Sequence, residues 1–350
     1  MEILVYGAGV LGSLYAAFLK ESGQDVWLLA REQRLTDLRQ CGIILEDSAT
    51  GQRTVTHVNL ADHLADCDYY DLVIVLMRQN QVASILPALS ANRRIPTILF
   101  MTNNAAGADE LVKAVGRERV LLGFPNAGGM RQGAVVRYQI AKSQPISLGE
   151  LDGQLTPRLA QIAQVFRTSS FQVTSCANMD AWLKTHVALV SPIANALYLT
   201  GGDNFRLART RDGLVLLVYA IREGFRVLRA DGIPITPARY RILEWIPEPL
   251  LVSGLRRLFN TEQANLVMAQ HANAARDEMK FLADEFRCLV VQSGLATPAI
   301  DRLYAYIDPS MPPLTQGSAK IPMNTRSLWA GAAILSALAL LNYWLKKQQP

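Results

Sequence analysis

The feature that most constrains the fold of this chain is a glycine-rich turn close to its first residue. Residues 1–6 (MEILVY) form a mainly apolar run that predicts a buried strand, and Gly7-Ala8-Gly9-Val10-Leu11-Gly12 follows before a helical pattern. In such a GxGxxG turn the first glycine permits the tight bend, the second admits a pyrophosphate, and the third lets helix and strand pack closely. The context predicts a dinucleotide-binding βαβ unit, and the alternative is a glycine-rich turn without a ligand.

Two patterns divide the rest of the chain near residue 170. Before it, apolar strand-like runs at residues 25–30, 71–77, 97–101, 120–124 and 146–148 alternate with helical patterns, which predicts a parallel sheet covered on both faces. After it, helical patterns occupy residues 180–199, 212–231, 237–245, 262–293 and 298–307. The sequence predicts an α/β Rossmann domain over residues 1–170, an all-α domain over 171–307, and a linker over 308–326.

Composition narrows the class of protein. A chain of 350 residues has room for two domains, and 50% hydrophobic with 19% charged residues excludes a disordered or fibrous chain. The net charge of +5 comes without long basic runs, so no nucleic-acid partner is expected. The four cysteines and four histidines lack the spacings of disulfide frameworks or metal sites, which favours a reducing, cytoplasmic compartment without a metal. No signal peptide is predicted, so we expect no export.

The residue at the end of the second predicted strand indicates which dinucleotide binds. NAD-preferring sites carry an acidic residue there, which accepts a hydrogen bond from the ribose 2′-hydroxyl. This chain has Arg31 at that position, and a guanidinium pairs well with a 2′-phosphate. We therefore predict NADP(H) as the cofactor. The alternative is that Arg31 is a solvated surface charge and Glu32 contacts the ribose.

Together with residues further along the chain, these features resemble the ketopantoate reductase (2-dehydropantoate 2-reductase) family over nearly all of residues 1–307. The matching elements are the glycine turn, Arg31 at the family's NADP-phosphate arginine, Asn103 after the fourth strand, Trp182-Leu183-Lys184, and Asp277-Glu278 followed by Gly294-Leu295-Ala296-Thr297-Pro298. The resemblance implies a Rossmann domain, a helical domain like the C-terminal domain of 6-phosphogluconate dehydrogenase, and a cleft between them. There NADPH would reduce a 2-oxo acid to a 2-hydroxy acid. Ketopantoate, reduced to pantoate in pantothenate biosynthesis, is the best single candidate.

The resemblance and the chemistry of ketone reduction together suggest the site residues. Hydride transfer to a ketone leaves charge on its oxygen, so an acid must deliver a proton there, and Lys184 among its apolar neighbours is the predicted donor. Glu278 is predicted to hold that lysine or a substrate hydroxyl. Asn103 is predicted to contact the nicotinamide ribose or the substrate, and Arg78 takes the place of a lysine that the family carries near the cofactor.

Each of these residues also has a purely structural alternative. A single lysine on a helix is usually solvated, Glu278 can form an i, i+4 contact on a helix surface, and Asn103 can be a turn or helix-cap residue. His186 lies two residues after Lys184, which places it on another face of the same predicted helix. We therefore predict that His186 is a core or surface residue and not an acid.

Several positions depart from the family pattern, mainly where the substrate would bind. The family places asparagine four residues after its lysine, where this chain has Ala188. Its serine-rich substrate segment has no clear counterpart in Gln270-His271-Ala272-Asn273-Ala274-Ala275, and Lys280 replaces an aspartate. Because cofactor features persist while substrate contacts change, the acceptor need not be ketopantoate.

The C-terminal segment, predicted as a separate unit over residues 327–350, has the composition of a membrane anchor. Leu328 to Leu345 (LWAGAAILSALALLNYWL) carries no charge and has aromatic residues at both ends, flanked by Arg326 and Lys346-Lys347. As a helix it would be about 27 Å long, just enough for the hydrocarbon core of a bilayer. The alternative is a helix buried against the globular body or a partner subunit. Anchored in this way, the globular part would face the cytoplasm, where NADPH is found.

Three functions remain open on the sequence alone. The first is an NADPH-dependent 2-oxo acid reductase, and the second is a related dehydrogenase acting on another keto or imino substrate. The third is an inactive NADPH-binding sensor, which Ala188 and the missing serine segment keep open. A homodimer is compatible with each of them.

Overall fold

The computed structural model describes residues 1–141 and 144–325, and it begins with an α/β domain. Its strands are β1 (Glu2–Tyr6), β2 (Asp25–Leu29), β3 (Ile43–Asp47), β4 (Arg53–Thr56), β5 (Asn59–Ala61), β6 (Leu72–Val75), β7 (Ile98–Phe100), β8 (Val120–Phe124), β9 (Ala127–Gln132), β10 (Val135–Ile140), β11 (Ile146–Gly149) and β12 (Val173–Ser175). Its helices are α1 (Val10–Glu21), α2 (Glu32–Cys41), α3 (Gln79–Val82), α4 (Leu86–Ala91), α5 (Asp109–Val115) and α6 (Pro157–Thr168).

Eight of these strands form the central sheet, in the order β12-β11-β8-β7-β6-β1-β2-β5. All neighbouring pairs are parallel except β8 with β11, so the carboxyl ends of β1, β2, β6, β7 and β8 meet at one edge. Ligands of open α/β sheets bind at that edge. The predicted Rossmann-type fold with a mostly parallel sheet is confirmed. β12 carries the sheet past the boundary predicted at residue 170.

A second sheet, which the sequence patterns did not predict, lies beside the first. Its order is β4-β3-β10-β9, and β3 pairs in parallel with β10, a strand roughly ninety residues further along the chain. β4 is largely exposed, and β9 contains two consecutive glycines, so neither strand has the alternation that identifies a half-buried strand. Contacts of β9 and β10 with α1 attach this sheet to the Rossmann domain.

The second domain is helical, and its fold also agrees with the prediction. It contains α7 (Met179–Leu199), α8 (Asn204–Arg209), α9 (Arg211–Ala230), α10 (Ile242–Trp245), α11 (Glu248–Phe259), α12 (Glu262–Ala264), α13 (Gln270–Ala274), α14 (Arg276–Ser293) and α15 (Pro298–Tyr304). α7, α9, α14 and α15 pack around one apolar core. Ala188 is fully buried there, and a Cβ placed on Gly224 of α9 would lie 3.2 Å from its methyl group. Ala188, which stands where the family has asparagine, therefore lies in the tightly packed core of the helical domain.

The single helix predicted over residues 262–293 is wrong, because the chain breaks at Ala275, where φ is −125° and ψ is 37°. The carbonyl of Ala274 accepts a hydrogen bond from the Arg78 guanidinium of the Rossmann domain, with an N···O distance of 2.7 Å. The Ala274 carbonyl, which would accept a backbone hydrogen bond in a continuous helix, therefore accepts one from the other domain instead. The break starts α14 at Arg276, which places Asp277 and Glu278 in its first turn.

Residues 314–324, which we call the C-terminal strap, are bound to the helical domain although the sequence predicted a linker there. The amide of Leu314 donates to the carbonyl of Leu199 at 2.8 Å, and the Arg206 guanidinium donates to the carbonyl of Leu314 at 2.8 Å. The buried carboxylate of Asp212 accepts hydrogen bonds from the amides of Lys320 and Ile321, both at 2.8 Å, and from the Ser318 hydroxyl. Asp212, at the start of α9, therefore accepts three of the hydrogen bonds that hold the strap.

Replacing Asp212 by alanine should destabilise the chain by about 3 kcal/mol, because two backbone amides and a hydroxyl lose a charged acceptor. Ser318→Ala, which removes only the hydroxyl donor, should cost about 1 kcal/mol. Denaturant unfolding measures both losses, and limited proteolysis shows whether the strap has detached. Equal stabilities of Asp212→Ala and the unmodified chain would contradict this role.

No helix within residues 1–141 and 144–325 has the length and apolarity needed to cross a bilayer. The predicted anchor over Leu328 to Leu345 lies outside the described residues.

Candidate functional site

The glycine turn has the geometry that a dinucleotide needs. Gly7 has a φ of +114°, and a Cβ there would lie 2.6 Å from the carbonyl oxygen of Leu76. A Cβ on Gly12 would lie 1.7 Å from the carbonyl oxygen of Gly7, so only glycine allows α1 to start this close to β1. By contrast, a Cβ on Gly9 would meet nothing within 4 Å. Gly9 is the N-cap residue of α1 and, having no side chain, does not occupy the first amides of the helix. The turn therefore leaves open space and free amides for a pyrophosphate.

Two arginines follow β2 and lie beside this turn. Arg31 is exposed at the residue before α2, so its side chain is available to an anion. Arg34 is half-buried and donates to the carbonyl of Ala8 at 3.2 Å and to the Ser13 hydroxyl at 2.9 Å. Burial, with Arg131 nearby, lowers the pKa of Arg34. Arg31 was predicted from the sequence and Arg34 was not, although a spacing of three residues at the start of a helix places both near one face.

At the edge of the sheet, Asn103 and Glu278 meet across the two domains, as predicted for two residues of one site. Glu278 is 3% exposed, and its Oε1 accepts hydrogen bonds from the Asn103 amide at 3.3 Å and from the backbone amide of Gln79 at 3.2 Å. The Oδ1 of Asn103 is buried and has no hydrogen-bond partner within the described residues. A buried acceptor without a partner costs free energy, so a bound donor such as a ribose hydroxyl or a carboxamide fits there. The described side chains are thus compatible with a nicotinamide dinucleotide.

Polar contacts between α3 and α14 hold the two walls of this cleft together. Arg78 pairs with Asp277 at 2.9 Å, and Asn80 donates to the same carboxylate at 2.9 Å. The Gln79 side-chain amide donates a hydrogen bond to Oε1 of Glu285 at 3.2 Å. Oε2 of Glu285 accepts a hydrogen bond from the backbone amide of Ala105 at 2.9 Å. Arg78, predicted as a cofactor residue, is therefore engaged in a contact between domains. Glu285 was missed, although it follows Glu278 by two helical turns and so lies on the same face of α14.

Lys184 has a different partner from the one predicted. Its Nζ lies 2.7 Å from the Oδ2 of Asp180, one helical turn earlier on α7, and its side chain is 14% exposed. Among the described residues it forms no ion pair with Glu278. Lys184 and Asp180 line a cavity of about 430 Å³ together with the loop at Gly107, whose Cβ position lies 3.8 Å from Nζ. That loop begins at Asn104, next to Asn103, so Lys184 borders the predicted site while its charge is paired elsewhere.

His186, which was not predicted as a site residue, is half-buried between an aromatic residue of each domain. The His186 ring stacks on Trp182, with centroids 5.4 Å apart and planes at 10°, and its centroid lies 4.2 Å from that of Phe124. Burial lowers the pKa of His186 to about 4, with a further contribution from His271. His271, on α13, has an exposed side chain.

His186→Phe should keep the aromatic packing while removing the nitrogen edge of the ring. We expect KM for the acceptor to rise about tenfold, equivalent to one lost hydrogen bond, with kcat within a factor of three. His57→Phe, an exposed histidine in the Rossmann domain, is the control. An unchanged KM would show that His186 has only a packing role.

The same variant tests the pKa of His186 through stability. Because the folded state disfavours the charged ring, the His186 contribution is fully present above about pH 6.5 and is lost as the pH falls toward 4. In His186→Phe, the free energy of unfolding should fall less steeply over that pH interval. Denaturant titrations at several pH values measure the difference.

The fold and the site define a two-domain oxidoreductase that binds a nicotinamide dinucleotide. Residues 3–153 match the family described as ketopantoate reductase PanE/ApbA. The chain is therefore a relative of the ketopantoate reductases, and the predicted resemblance is confirmed. The predictions of an oxidoreductase and of NADP(H) as its cofactor are confirmed at the level of this relationship.

Individual proteins show the same relationship at modest identity. The 2-dehydropantoate 2-reductase of Halobacterium salinarum is 28% identical over 238 residues, which cover 67% of this chain and 78% of that protein. The structure of 2-dehydropantoate 2-reductase from Geobacter metallireducens has a TM-score of 0.74 at 18% identity, covering 89% of this chain and 100% of that one. The ternary structure of D-mandelate dehydrogenase with NADH and anilino(oxo)acetate has a TM-score of 0.70 at 16% identity, covering 88% and 97%. At such identities the structures establish a common fold.

Proposed function

We propose that this chain is an NADPH-dependent reductase of 2-oxo acids, with 2-dehydropantoate as the first candidate acceptor. The observation that carries the proposal is the pair of Asn103 and Glu278, which joins the domains at the edge of the sheet and leaves the buried Oδ1 of Asn103 without a partner among the described residues. The glycine turn and Arg31 would hold the pyrophosphate and the 2′-phosphate, and Asn103 the nicotinamide end. NADPH supplies the hydride when it is bound there.

The remaining steps fall to side chains of the helical domain. Lys184 leaves its ion pair with Asp180 and donates the proton to the substrate oxygen. Because Lys184 is partly buried, its electrostatic interaction with that oxygen is stronger than it would be in water. Glu278 holds a substrate hydroxyl through Oε2, while Oε1 remains bound to Gln79 and Asn103. These roles require the ammonium group of Lys184 to move around the loop at Gly107.

A second group of acceptors is favoured by the aromatic cluster of Phe124, Trp182 and His186. Flat rings stack on such side chains, so a 2-oxo acid with an aromatic substituent fits this wall of the cleft. The structural relative D-mandelate dehydrogenase, described with anilino(oxo)acetate, is consistent with this choice.

NADPH oxidation with a panel of 2-oxo acids tests the proposal. 2-Dehydropantoate, an aromatic 2-oxo acid and a short aliphatic one should be compared under identical conditions, with the corresponding imino acids as a separate group. Turnover that requires Lys184 supports the reductase. NADPH binding in calorimetry without turnover of any acceptor would instead favour the sensor.

We also propose that the apolar segment from Leu328 to Leu345 attaches the chain to a membrane, with the catalytic domains in the cytoplasm. Support comes from its uncharged length, its terminal aromatic residues and its flanking cations. A chain ending at Arg326 should then remain in the supernatant when membranes are sedimented, while the full chain sediments with them. Recovery of the full chain in the supernatant without detergent would contradict the anchor.

A further inference from the structure

One surface of the helical domain, away from the cleft, exposes several large apolar side chains. Trp245 is 78% exposed, Ile242 58% and Leu250 55%, and they lie in or next to the two consecutive helices α10 and α11. The opposite side of α11 is buried through Val252 and Phe259. An exposed tryptophan beside exposed aliphatic residues marks a surface that contacts something apolar.

The charges of this surface have one sign. Over residues 238–260, which we call the basic apolar surface, the exposed charged residues are Arg239, Arg241, Arg256 and Arg257. The two acidic residues of the segment are not available to a partner. Glu244 pairs with Arg229, and Glu248 is 7% exposed and pairs with Arg222. Within residues 1–141 and 144–325 none of these four arginines forms an ion pair, so the surface presents apolar side chains among cations.

The chain leaves its described part at this same surface. The amide of Asn324, near the end of the C-terminal strap, donates to the Glu248 carboxylate at 2.6 Å, and the Tyr219 hydroxyl donates to it at 3.1 Å. Glu248 is the first residue of α11. Four further residues span at most about 14 Å, so the uncharged segment beginning at Leu328 starts within reach of Trp245 and Leu250.

We infer that the basic apolar surface rests on a lipid bilayer that contains anionic lipid. Trp245, Ile242 and Leu250 would lie at the level of the headgroups, where tryptophan is enriched, and the four arginines would contact lipid phosphates. The inference rests on the proposed membrane attachment for the direction from which the bilayer approaches. The affinity for anionic lipid follows from the surface itself.

Two other occupants fit less well. In a two-fold dimer the same face would meet itself, which would bring like-charged arginines together, whereas the cores of protein interfaces are depleted of charge. The segment from Leu328 to Leu345 carries no acidic residue and so would leave the arginines unpaired if it covered them. A bilayer with anionic headgroups satisfies the apolar side chains and the cations together.

Vesicle binding of the full chain tests the inference. To isolate the surface from the anchor, Leu335→Arg and Leu338→Arg are introduced into the C-terminal segment, and binding is measured to vesicles of phosphatidylcholine with and without 30% phosphatidylserine. Adding Arg239→Gln and Arg241→Gln should weaken binding to the anionic vesicles about 30-fold, at about 1 kcal/mol per arginine. Arg93→Gln with Arg302→Gln, two exposed arginines outside the surface, should leave binding unchanged.

The location of Trp245 provides the second readout, with the native C-terminal segment restored. Phosphatidylserine vesicles containing brominated lipid should quench a fluorescence component that Trp245→Phe lacks. Equal anionic binding of the charge variant, or an unquenched Trp245, overturns the inference. A molecular mass twice that of one chain, restored to that of one chain by Trp245→Ser, would also overturn it, because the surface would then be a dimer interface. Protection of Trp245 from acrylamide quenching in the absence of vesicles would overturn it too, because protein would then cover the surface. If the chain with its native C-terminal segment binds anionic but not neutral vesicles, only the proposed anchor is overturned. NADPH oxidation tests the reductase separately.

Discussion

Lys184→Ala is expected to lower kcat for the reduced acceptor by about 10³, within the range that general acids contribute. Lys184 is partly buried, and its Nζ lies 3.8 Å from the Cβ position of Gly107 in the loop that follows Asn103. Its loss therefore leaves the developing oxygen charge without a proton donor. NADPH affinity should stay within a factor of two. Steady-state NADPH oxidation and calorimetric binding measure the two quantities separately.

The control for this prediction is Lys113→Ala, an exposed lysine on α5 beside the same loop, which should keep normal turnover. Asp180→Ala is informative in the opposite direction, because it removes the counter-ion that holds the Lys184 ammonium. If Lys184 donates the proton, Asp180→Ala should retain activity and shift the pH profile of kcat. A Lys184→Ala chain with more than a tenth of normal kcat would refute the assignment.

The second large effect is expected on the choice of cofactor. Arg31→Glu should weaken NADPH binding about 100-fold, because charge-assisted hydrogen bonds to the 2′-phosphate are replaced by repulsion, and should change NADH binding less than threefold. Arg34→Ala should weaken both cofactors alike, by about tenfold, because Arg34 supports the carbonyl of Ala8 and the Ser13 hydroxyl in the glycine turn. Calorimetric titration of each variant with each cofactor provides the four values.

The two variants are each other's controls, since both remove a cation near the same turn. If Arg31→Glu weakens NADPH binding more than NADH binding, and Arg34→Ala weakens both equally, the 2′-phosphate binds at Arg31. Equal losses for both cofactors in Arg31→Glu would instead make Arg31 a general support of the turn and favour a ribose contact by Glu32.

The Rossmann architecture could be predicted because its central strands are apolar throughout. β1, β6 and β7 are buried along their whole length or nearly so, so they produce continuous apolar runs, and the glycine turn identifies which end binds a ligand. The second sheet could not be predicted in the same way. Its strands are half-exposed, and the parallel pairing of β3 with β10 depends on contacts between residues far apart in the chain.

The site was predicted unevenly for a related reason. Asn103 and Glu278 come from a strand end and a helix start, and both positions follow from local patterns together with the family resemblance. The partner of Lys184 depends on a choice between a residue one turn away, Asp180, and one on another helix, and the short-range pair forms here. His186 was predicted to be a core or surface residue because helical spacing separates it from Lys184. Spacing does not show that Trp182 stacks on it and that Phe124, from the other domain, packs against it.

The last described tie of the C-terminal strap is at Glu248, which belongs to α11 and not to the walls of the cleft. A pulling force on the end of the chain would therefore load α11 first, and α9 through the salt bridge with Arg222. The contacts of Arg78 and Gln79 with α14 lie outside that line of tension. Tethering this protein by its C-terminal end, in a cell or on a sensor chip, should thus leave the contacts between α3 and α14 free of mechanical load.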